Sequence, residues 1–286
     1  MNAIKKIFFT FFIFSPLIAS AVSPGEVRFG DEASDTTLIT TILKETYEAK
    51  YPTPNEKIIE VASRLIGTPY AENTLEGTPE QLTVNLSAMD CTTFVENVLA
   101  IVMTLDENRT SWHDFIYNLE RLRYRNGTIN GYASRLHYVS DWVIDNSHRG
   151  ILKEVTDRLV PLPSYQIKTL DFMTRNRDKY PVLADDDEFQ QLQNAEIGYR
   201  SHRYPYIKTT NITNLPLLDG DIIAITTKKD GLDVQHVGFV KLVNGQPHLL
   251  HASSTEGKIV VDKLPLAEYL KRNRSATGIR VIRLNE

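Results

Sequence analysis

Apolar residues in the first half of the chain recur at helical spacing. This spacing predicts helices over residues 37–50, 57–66, 90–105 and 111–123. In the third helix, the stripe formed by Phe94, Val98 and Val102 faces one way, and Asp90 stands at the N-cap position. Ser111 and Asp114 have the spacing of a capping box at the start of the fourth helix.

The last seventy residues follow a different pattern, with short β-rich runs separated by turn signals. We predict strands over 221–226, 234–243, 247–253, 258–262 and 278–284, and a short helix over 265–271. The pairs 219–220, 244–245 and 256–257 end in glycine and mark turns. Helices first and strands last indicate an α+β fold, in which N-terminal helices pack on a C-terminal antiparallel β-meander.

The region from 126 to 216 has the weakest pattern and is interpreted as a long insertion in a single domain spanning 22–286. Residues 141–146 are compatible with a short helix or a strand. The acidic run 185–188 is typical of a first helical turn, because acids are favoured there. A cation site is the alternative for this run, although it lacks the spacing of a calcium loop.

The N-terminus has the three parts of a secretory signal peptide. Lys5 and Lys6 precede an apolar run over 7–18, and Ala19-Ser20-Ala21 has the small-x-small pattern of a cleavage site. We therefore expect cleavage after residue 21, export to the periplasm, and no stable membrane anchor afterwards. An uncleaved anchor or a buried helix is the alternative.

Composition narrows the class of protein. An apolar fraction of 42% and a charged fraction of 24% are ordinary for a globular protein. The formal net charge of −4 makes the chain a poor candidate for binding nucleic acid. The oligomeric state is not predicted.

The chain has a single cysteine, Cys91, which directly follows Asp90 at a predicted helix start. The backbone dipoles there lower a thiol pKa, which suits a nucleophile. Two histidines on neighbouring predicted strands, His236 and His251, are candidates for the base and its orienting partner. A buried inert thiol, structural histidines and a zinc site made by these three side chains are the alternatives. We expect no metal and no cofactor.

The blocks DCTTFV at 90–95, HVGFV at 236–240, HASS at 251–254 and GTPY at 67–70 resemble the signature blocks of the NlpC/P60 cysteine hydrolases. The stretches 89–96, 133–138 and 220–226 are similar to the N-acetylmuramoyl-L-alanine amidase-like branch of that superfamily. The resemblance implies a papain-like fold and a substrate made of peptidoglycan or muramyl-peptide fragments.

The resemblance also implies roles for single residues. Cys91 would be the nucleophile, His236 the general base and His251 its orienting partner, while Tyr70 would help to position the scissile amide. The backbone amide of Cys91 would contribute to an oxyanion hole. Further candidates for substrate contact are Asp90, Arg135 and His137. For Arg135 an ordinary ion pair is an equally good interpretation, and the basic, aromatic segment 199–204 is either a groove lining or a solvated loop.

The expected reaction is hydrolysis of the amide between the lactyl group of N-acetylmuramic acid and L-alanine, through a thioester. Three alternatives remain open: cleavage of a D-glutamyl bond in the stem peptide by the same residues, acyl transfer to an amine, and a non-catalytic wall-binding module.

Overall fold

The computed structural model describes residues 27–285, so the predicted signal peptide lies outside the described residues. Within 27–285, no helix is both long enough and apolar enough to cross a membrane. The helices are α1 (Glu32–Ala49), α2 (Pro54–Arg64), α3 (Cys91–Asp106), α4 (Trp112–Arg123), α5 (Val139–His148), α6 (Phe172–Arg175), α7 (Asp186–Ile197) and α8 (Leu266–Arg272).

The four N-terminal helices confirm the prediction from apolar spacing. A capping box by Thr53 and Glu56 begins α2, and Pro54 occupies its first turn. The predicted capping box of α4 is wrong. The Ser111 hydroxyl accepts a hydrogen bond from the His113 amide, whereas the Asp114 carboxylate lies 2.7 Å from the Arg109 guanidinium.

The strands are β1 (Arg28–Phe29), β2 (Thr83–Val84), β3 (Leu152–Glu154), β4 (Ser164–Lys168), β5 (His202–Lys208), β6 (Ile222–Thr227), β7 (Val234–Val243), β8 (Gln246–Ser253), β9 (Lys258–Pro265) and β10 (Ala276–Leu284). β1 and β2 form a small parallel pair. The main sheet has the order β4-β5-β10-β6-β7-β8-β9, and β3 pairs with β10.

The predicted meander is confirmed for β6 to β9 and wrong for the last strand. β10 crosses back by way of α8 and lies between β5 and β6, antiparallel to both. This position buries both faces of β10, because Ile282 joins the apolar cluster on one side of the sheet while Ile279 and Val281 join the cluster on the other.

The region 126–216 supplies helices α5 to α7 and strands β3 to β5, and β3 and β5 pair with β10 in the main sheet. The segment 141–146 is part of α5, and the acidic run begins α7, where the Asp185 carboxylate accepts hydrogen bonds from the amides of Asp187 and Glu188. β3, β4 and β5 were not predicted. They are short or carry polar residues at alternate positions, and β5 contains Pro205.

The two faces of the sheet are covered by different helices. α3 packs on one face, where the ring of Phe94 meets the ring of Phe239 on β7 at a centroid distance of 5.6 Å and an angle of 77°. Leu266 and Leu270 of α8 pack on the other face with Val240 of β7. The start of α3 and strands β7 to β9 are thereby held in one rigid unit.

Candidate active site

Cys91 occupies the first turn of α3, and the preceding residue fixes that helix end. The Asp90 carboxylate accepts hydrogen bonds from the Thr93 amide at 2.8 Å and the Thr93 hydroxyl at 2.9 Å. The Thr93 hydroxyl oxygen in turn accepts a bond from the Asp90 amide at 2.9 Å. Asp90, predicted as a substrate contact, therefore has its carboxylate turned towards the helix amides.

The Cys91 thiol is in contact with strand β7. The Val237 backbone, next to His236 in the chain, and the Thr92 side chain lie close enough to the sulfur to favour the thiolate. Burial opposes them, as does the negative charge of Asp90, and together they raise the thiol pKa to about 11. The Cys91 amide at the helix start lowers this pKa, as expected, but burial and the charge of Asp90 outweigh it.

His236 of β7 and His251 of β8 form a direct pair. Nε2 of His236 lies 2.6 Å from Nδ1 of His251, and the rings meet edge to face with centroids 4.8 Å apart. The turn at 244–245 makes β7 and β8 antiparallel neighbours, as the sequence predicts. Gly238 faces His251, and a Cβ there would lie 2.9 Å from the Cβ of His251.

Both imidazoles are kept neutral. Burial lowers the pKa of His236 to about 4. Burial, followed by repulsion from His236, lowers the pKa of His251 to about 3. At neutral pH the free site therefore combines a neutral thiol with two neutral imidazoles.

Tyr70 is placed beside Cys91 by backbone pairing on both sides. Its amide donates to the Gly257 carbonyl at 2.9 Å, and the Met89 amide donates to the carbonyl of Pro69 at 3.0 Å. The Tyr70 hydroxyl donates to the Glu72 carboxylate at 3.1 Å. Burial and the nearby Cys91 raise the pKa of Tyr70, so the hydroxyl stays protonated and can donate a hydrogen bond.

Arg135 lies apart from the thiol, in a cluster of charges. Its guanidinium is buried, lies 2.8 Å from the Glu76 carboxylate and 3.5 Å from that of Glu80, and sits over the Tyr132 ring. This is the ordinary ion pair left open by the sequence. A substrate carboxylate would have to displace Glu76 to reach this guanidinium.

His137 is closer to the start of α3. With Thr92, Trp142 and Val237 it lines a small, largely apolar cavity. Its Nε2 lies 2.9 Å from the carbonyl of Tyr132, and burial together with the charge of Arg135 lowers its pKa to about 3. His137 is therefore a neutral wall of that cavity.

The segment 199–204 packs against the rest of the chain. Tyr199 hydrogen-bonds to the Asp141 carboxylate, and Tyr204 is buried beneath the Arg280 guanidinium. The interpretation as a solvated loop is wrong for Tyr204, which is buried, whereas Tyr199 is half-buried and Arg200, Ser201 and Arg203 are exposed.

Sequence reasoning missed two residues of the site. Oδ2 of Asp262 on β9 lies 3.8 Å from Nε2 of His251. The Tyr269 ring of α8 meets the His251 ring edge to face, with centroids 5.6 Å apart. The strand prediction over 258–262 held a signal for Asp262, since alternate residues of β9 share the face of His251. Within the described part of the chain, no group of three or more His, Cys, Asp or Glu side chains is arranged to hold a metal ion.

Comparison with known proteins gives both close and distant relatives. The structure of an N-acetylmuramoyl-L-alanine amidase from Bacteroides uniformis superposes with a TM-score of 0.77 at 36% identity, covering 82% of this chain and 99% of that one. A Bacteroides fragilis structure named as a candidate xylanase gives 0.73 at 40% identity, covering 78% and 99%. A Legionella pneumophila protein at 22% identity shares the fold, with a TM-score of 0.67 and coverage of 90% and 97%.

None of the curated proteins compared with the chain gives a significant match. A family model described as AmiA-like, N-acetylmuramoyl-L-alanine amidase-like, matches residues 60–279. This match covers most of the chain and includes Tyr70, Cys91, His236 and His251. The chain belongs to this amidase-like family.

Proposed function

We propose that the protein is an exported cysteine amidase that cleaves the bond between N-acetylmuramic acid and L-alanine in peptidoglycan or its fragments. One observation carries the proposal. The only thiol of the chain lies against the β7 backbone at Val237, the residue after His236, and His236 forms a neutral imidazole pair with the buried His251, in a member of an amidase-like family. A nucleophile, a base and an orienting group are the parts that such catalysis needs.

Acylation begins as the Cys91 sulfur attacks the carbonyl carbon of the lactyl group. As the S–C bond forms, the thiol proton passes to His236, which suits a site where both groups start neutral. The tetrahedral intermediate then collapses. His236 returns the proton to the departing amine of L-alanine, the C–N bond breaks, and a thioester remains on Cys91.

Deacylation repeats the sequence with water. His236 takes a proton from the attacking water, the second tetrahedral intermediate expels the sulfur, His236 returns the proton to that sulfur, and the muramic acid carboxyl is released. His251 accepts a hydrogen bond from His236 throughout and keeps its ring in place. The amide of Cys91, at the start of α3, donates to the oxyanion, and the Tyr70 hydroxyl positions the scissile amide.

The same residues support a papain-like NlpC/P60 assignment. The thiol at a helix start and the histidines on neighbouring antiparallel strands follow the papain-like arrangement. The proposed periplasmic location depends on residues 1–21 alone. N-terminal sequencing of protein recovered from a periplasmic extract, after expression of the full chain, should begin at Val22, and a chain that begins at Met1 in the membrane fraction would favour the uncleaved anchor.

The test is mass spectrometry of defined muramyl-peptides incubated with wild-type protein, Cys91→Ala and the control Ser87→Ala, which alters an exposed residue just before α3. We expect wild type and the control to release a free peptide that begins at L-alanine. Cys91→Ala should be at least ~10³-fold slower, because no thioester can form. Full activity in folded Cys91→Ala would end the proposal.

The same samples separate the alternatives. Products cut within the stem would move the specificity to a D-glutamyl endopeptidase, and aminolysis products with an added amine would show acyl transfer. Binding of wall polymer by both proteins without any cleavage would support a wall-binding module. Xylan is included because of the Bacteroides fragilis neighbour, and its cleavage by Cys91→Ala would point to a glycosidase, which works with a carboxylate pair.

A further inference from the structure

One buried nitrogen of the histidine pair has no hydrogen-bond partner among the described residues. Nε2 of His251 is buried, and the residue is 1% exposed. Its nearest opposite charge is Oδ2 of Asp262, at 3.8 Å. At this separation the interaction is a coulombic attraction and not a direct hydrogen bond.

The Asp262 carboxylate is held in a defined orientation. Its Oδ1 accepts a hydrogen bond from the Leu264 amide at 2.8 Å, which leaves Oδ2 towards His251. The strand register brings them together, since His251 is opposite Val260 and Asp262 lies two residues further on the same face of β9.

Three ionisable groups face the His251 ring. They are His236 from β7, Asp262 from β9 and Tyr269 from α8. Burial raises the pKa of Tyr269, so it stays neutral and Asp262 is the one anion of the three. The field at His251 therefore favours a proton on the nitrogen that faces Asp262.

We propose that Asp262 is a positioning residue that selects the tautomers of both histidines; this inference rests on the proposed function. Asp262 keeps the His251 proton on Nε2, so that Nδ1 is an acceptor. Nδ1 then accepts Nε2–H of His236 across 2.6 Å. The remaining nitrogen of His236, Nδ1, is left unprotonated and is the base for the Cys91 thiol.

The proton count is preserved during attack. One proton moves from the Cys91 sulfur to Nδ1 of His236, which becomes an imidazolium that still donates to His251. His251 stays neutral, and the ionised Asp262 stabilises the new positive charge through it. No proton reaches Asp262, whose function is orientation and charge, as for the buried carboxylate of a serine protease triad.

The decisive variant is Asp262→Asn, which keeps the acceptor for Leu264 and turns an amide N–H towards His251. That donor favours a lone pair on Nε2 of His251 and so reverses both tautomers. Nδ1 of His236, the proposed base, would then carry a proton. Asp262→Glu restores the charge. The matched control is Glu268→Gln, an exposed acid of α8 that pairs with Lys271.

Two measurements on protein expressed from the full chain test the proposal. Steady-state kinetics with a muramyl-peptide should show a kcat that falls about 10- to 100-fold in Asp262→Asn with little change in KM, recovers in Asp262→Glu and is unchanged in Glu268→Gln. NMR of ¹⁵N-labelled histidine should show Nε2–H tautomers for His236 and His251 in the wild type, and Nδ1–H tautomers in Asp262→Asn.

The NMR result does not depend on the substrate, so it separates the two proposals. Reversed tautomers without any muramyl-peptide cleavage would uphold the positioning residue and overturn the proposed function. Unchanged tautomers and unchanged kcat in a folded, active Asp262→Asn protein would overturn the positioning residue and leave the amidase standing.

Discussion

Helix α3 takes part in two buried clusters of ionisable side chains that differ in how their charges are balanced. At its first turn, the Cys91 thiol meets the strand that carries the His236–His251 pair. Farther along, Glu96 meets Arg123 of α4, with Oε2 and Nε 2.6 Å apart and both residues at most 3% exposed. The arginine also donates to the carbonyl of Thr83 at 2.6 Å.

The two clusters handle burial in opposite ways. Glu96 and Arg123 form an ion pair, whereas the histidines lose their charge. Each cluster keeps one buried nitrogen without a hydrogen-bond partner among the described residues, Nη2 of Arg123 and Nε2 of His251. Burial raises the pKa of Glu96, and the charge of Arg123 opposes that rise. Neutral imidazoles near a thiol can exchange a proton with it. The cluster of Cys91, His236 and His251 is therefore the one suited to catalysis.

The largest expected effect is on stability, at the ion pair. Arg123→Ala should lower the free energy of unfolding by about 3–5 kcal/mol, because it leaves the carboxylate of Glu96 buried without its partner. Urea denaturation followed by circular dichroism measures the loss. The double variant Glu96→Gln with Arg123→Met removes both charges and should lose much less. Equal losses in the single and double variants would show that packing, and not charge balance, sets the cost.

The histidine pair should show its effect through pH. Since burial lowers the pKa of His251 to about 3 from its unfolded value near 6.5, the unfolded chain binds the extra proton between these values, and stability falls as pH falls. Between pH 6.5 and pH 4 the wild type should therefore lose about 3 kcal/mol more than His251→Asn, at about 1.4 kcal/mol per pH unit.

This difference is measured by urea denaturation of both proteins across the pH range. Buried carboxyls with raised pKa values, such as Glu96, contribute with the opposite sign, but they are common to both proteins and cancel. A cost of His251→Asn that stays constant with pH would mean that His251 titrates normally in the folded protein.

The fold was predictable where the apolar pattern is regular. Helices α1 to α4 and strands β6 to β9 carry long, periodic apolar stripes, and each is observed within a few residues of its prediction. The place of β10 was not predictable, because a run that is apolar on both faces indicates a central strand but does not name its neighbours. The strands of 126–216 were missed because they are short or carry polar residues at alternate positions, and because β3 and β5 pair with β10, which is distant in the sequence.

The candidate site was also predictable only in part. The positions of Cys91, His236 and His251 follow from a helix start and a hairpin, which are local features. The pKa of Cys91 and the approach of Asp262 to His251 depend on burial and on strand register across β8 and β9, which no single segment determines. Arg135 has chemistry that suits a carboxylate ligand, but the chain itself supplies the carboxylates.

A smaller effect should follow from Gly238→Ala, which tests how closely the histidine pair is packed. A Cβ at this position would lie 2.9 Å from both the Cβ of His251 and the carbonyl oxygen of Leu250. We expect a loss of about 1–3 kcal/mol in the free energy of unfolding, with a lower kcat as His251 moves away from His236. Gly198→Ala, whose nearest contact would be 3.4 Å, is the control. Wild-type kcat and stability in Gly238→Ala would show that the strands yield without moving His251.

The smallest effect separates the two contributions of Asp90, as helix cap and as charge. Asp90→Asn keeps the cap, since asparagine is an equally good N-cap, but removes the charge that helps to raise the thiol pKa. We expect unchanged stability and a Cys91 pKa below about 11, measured from the pH dependence of alkylation by iodoacetamide. Asp90→Ala should lower the pKa as well and lose about 1 kcal/mol of stability.

Asp31→Ala is the matched control, because Asp31 caps α1 and lies outside the Cys91 site. It should lose a similar amount of stability and leave the thiol pKa unchanged. Alkylation of Cys91 in Asp90→Asn with the wild-type pH profile would show that the charge of Asp90 does not affect the thiol. Burial alone would then keep the thiol protonated. The pKa of Cys91 would then depend on its burial and not on a neighbouring charge.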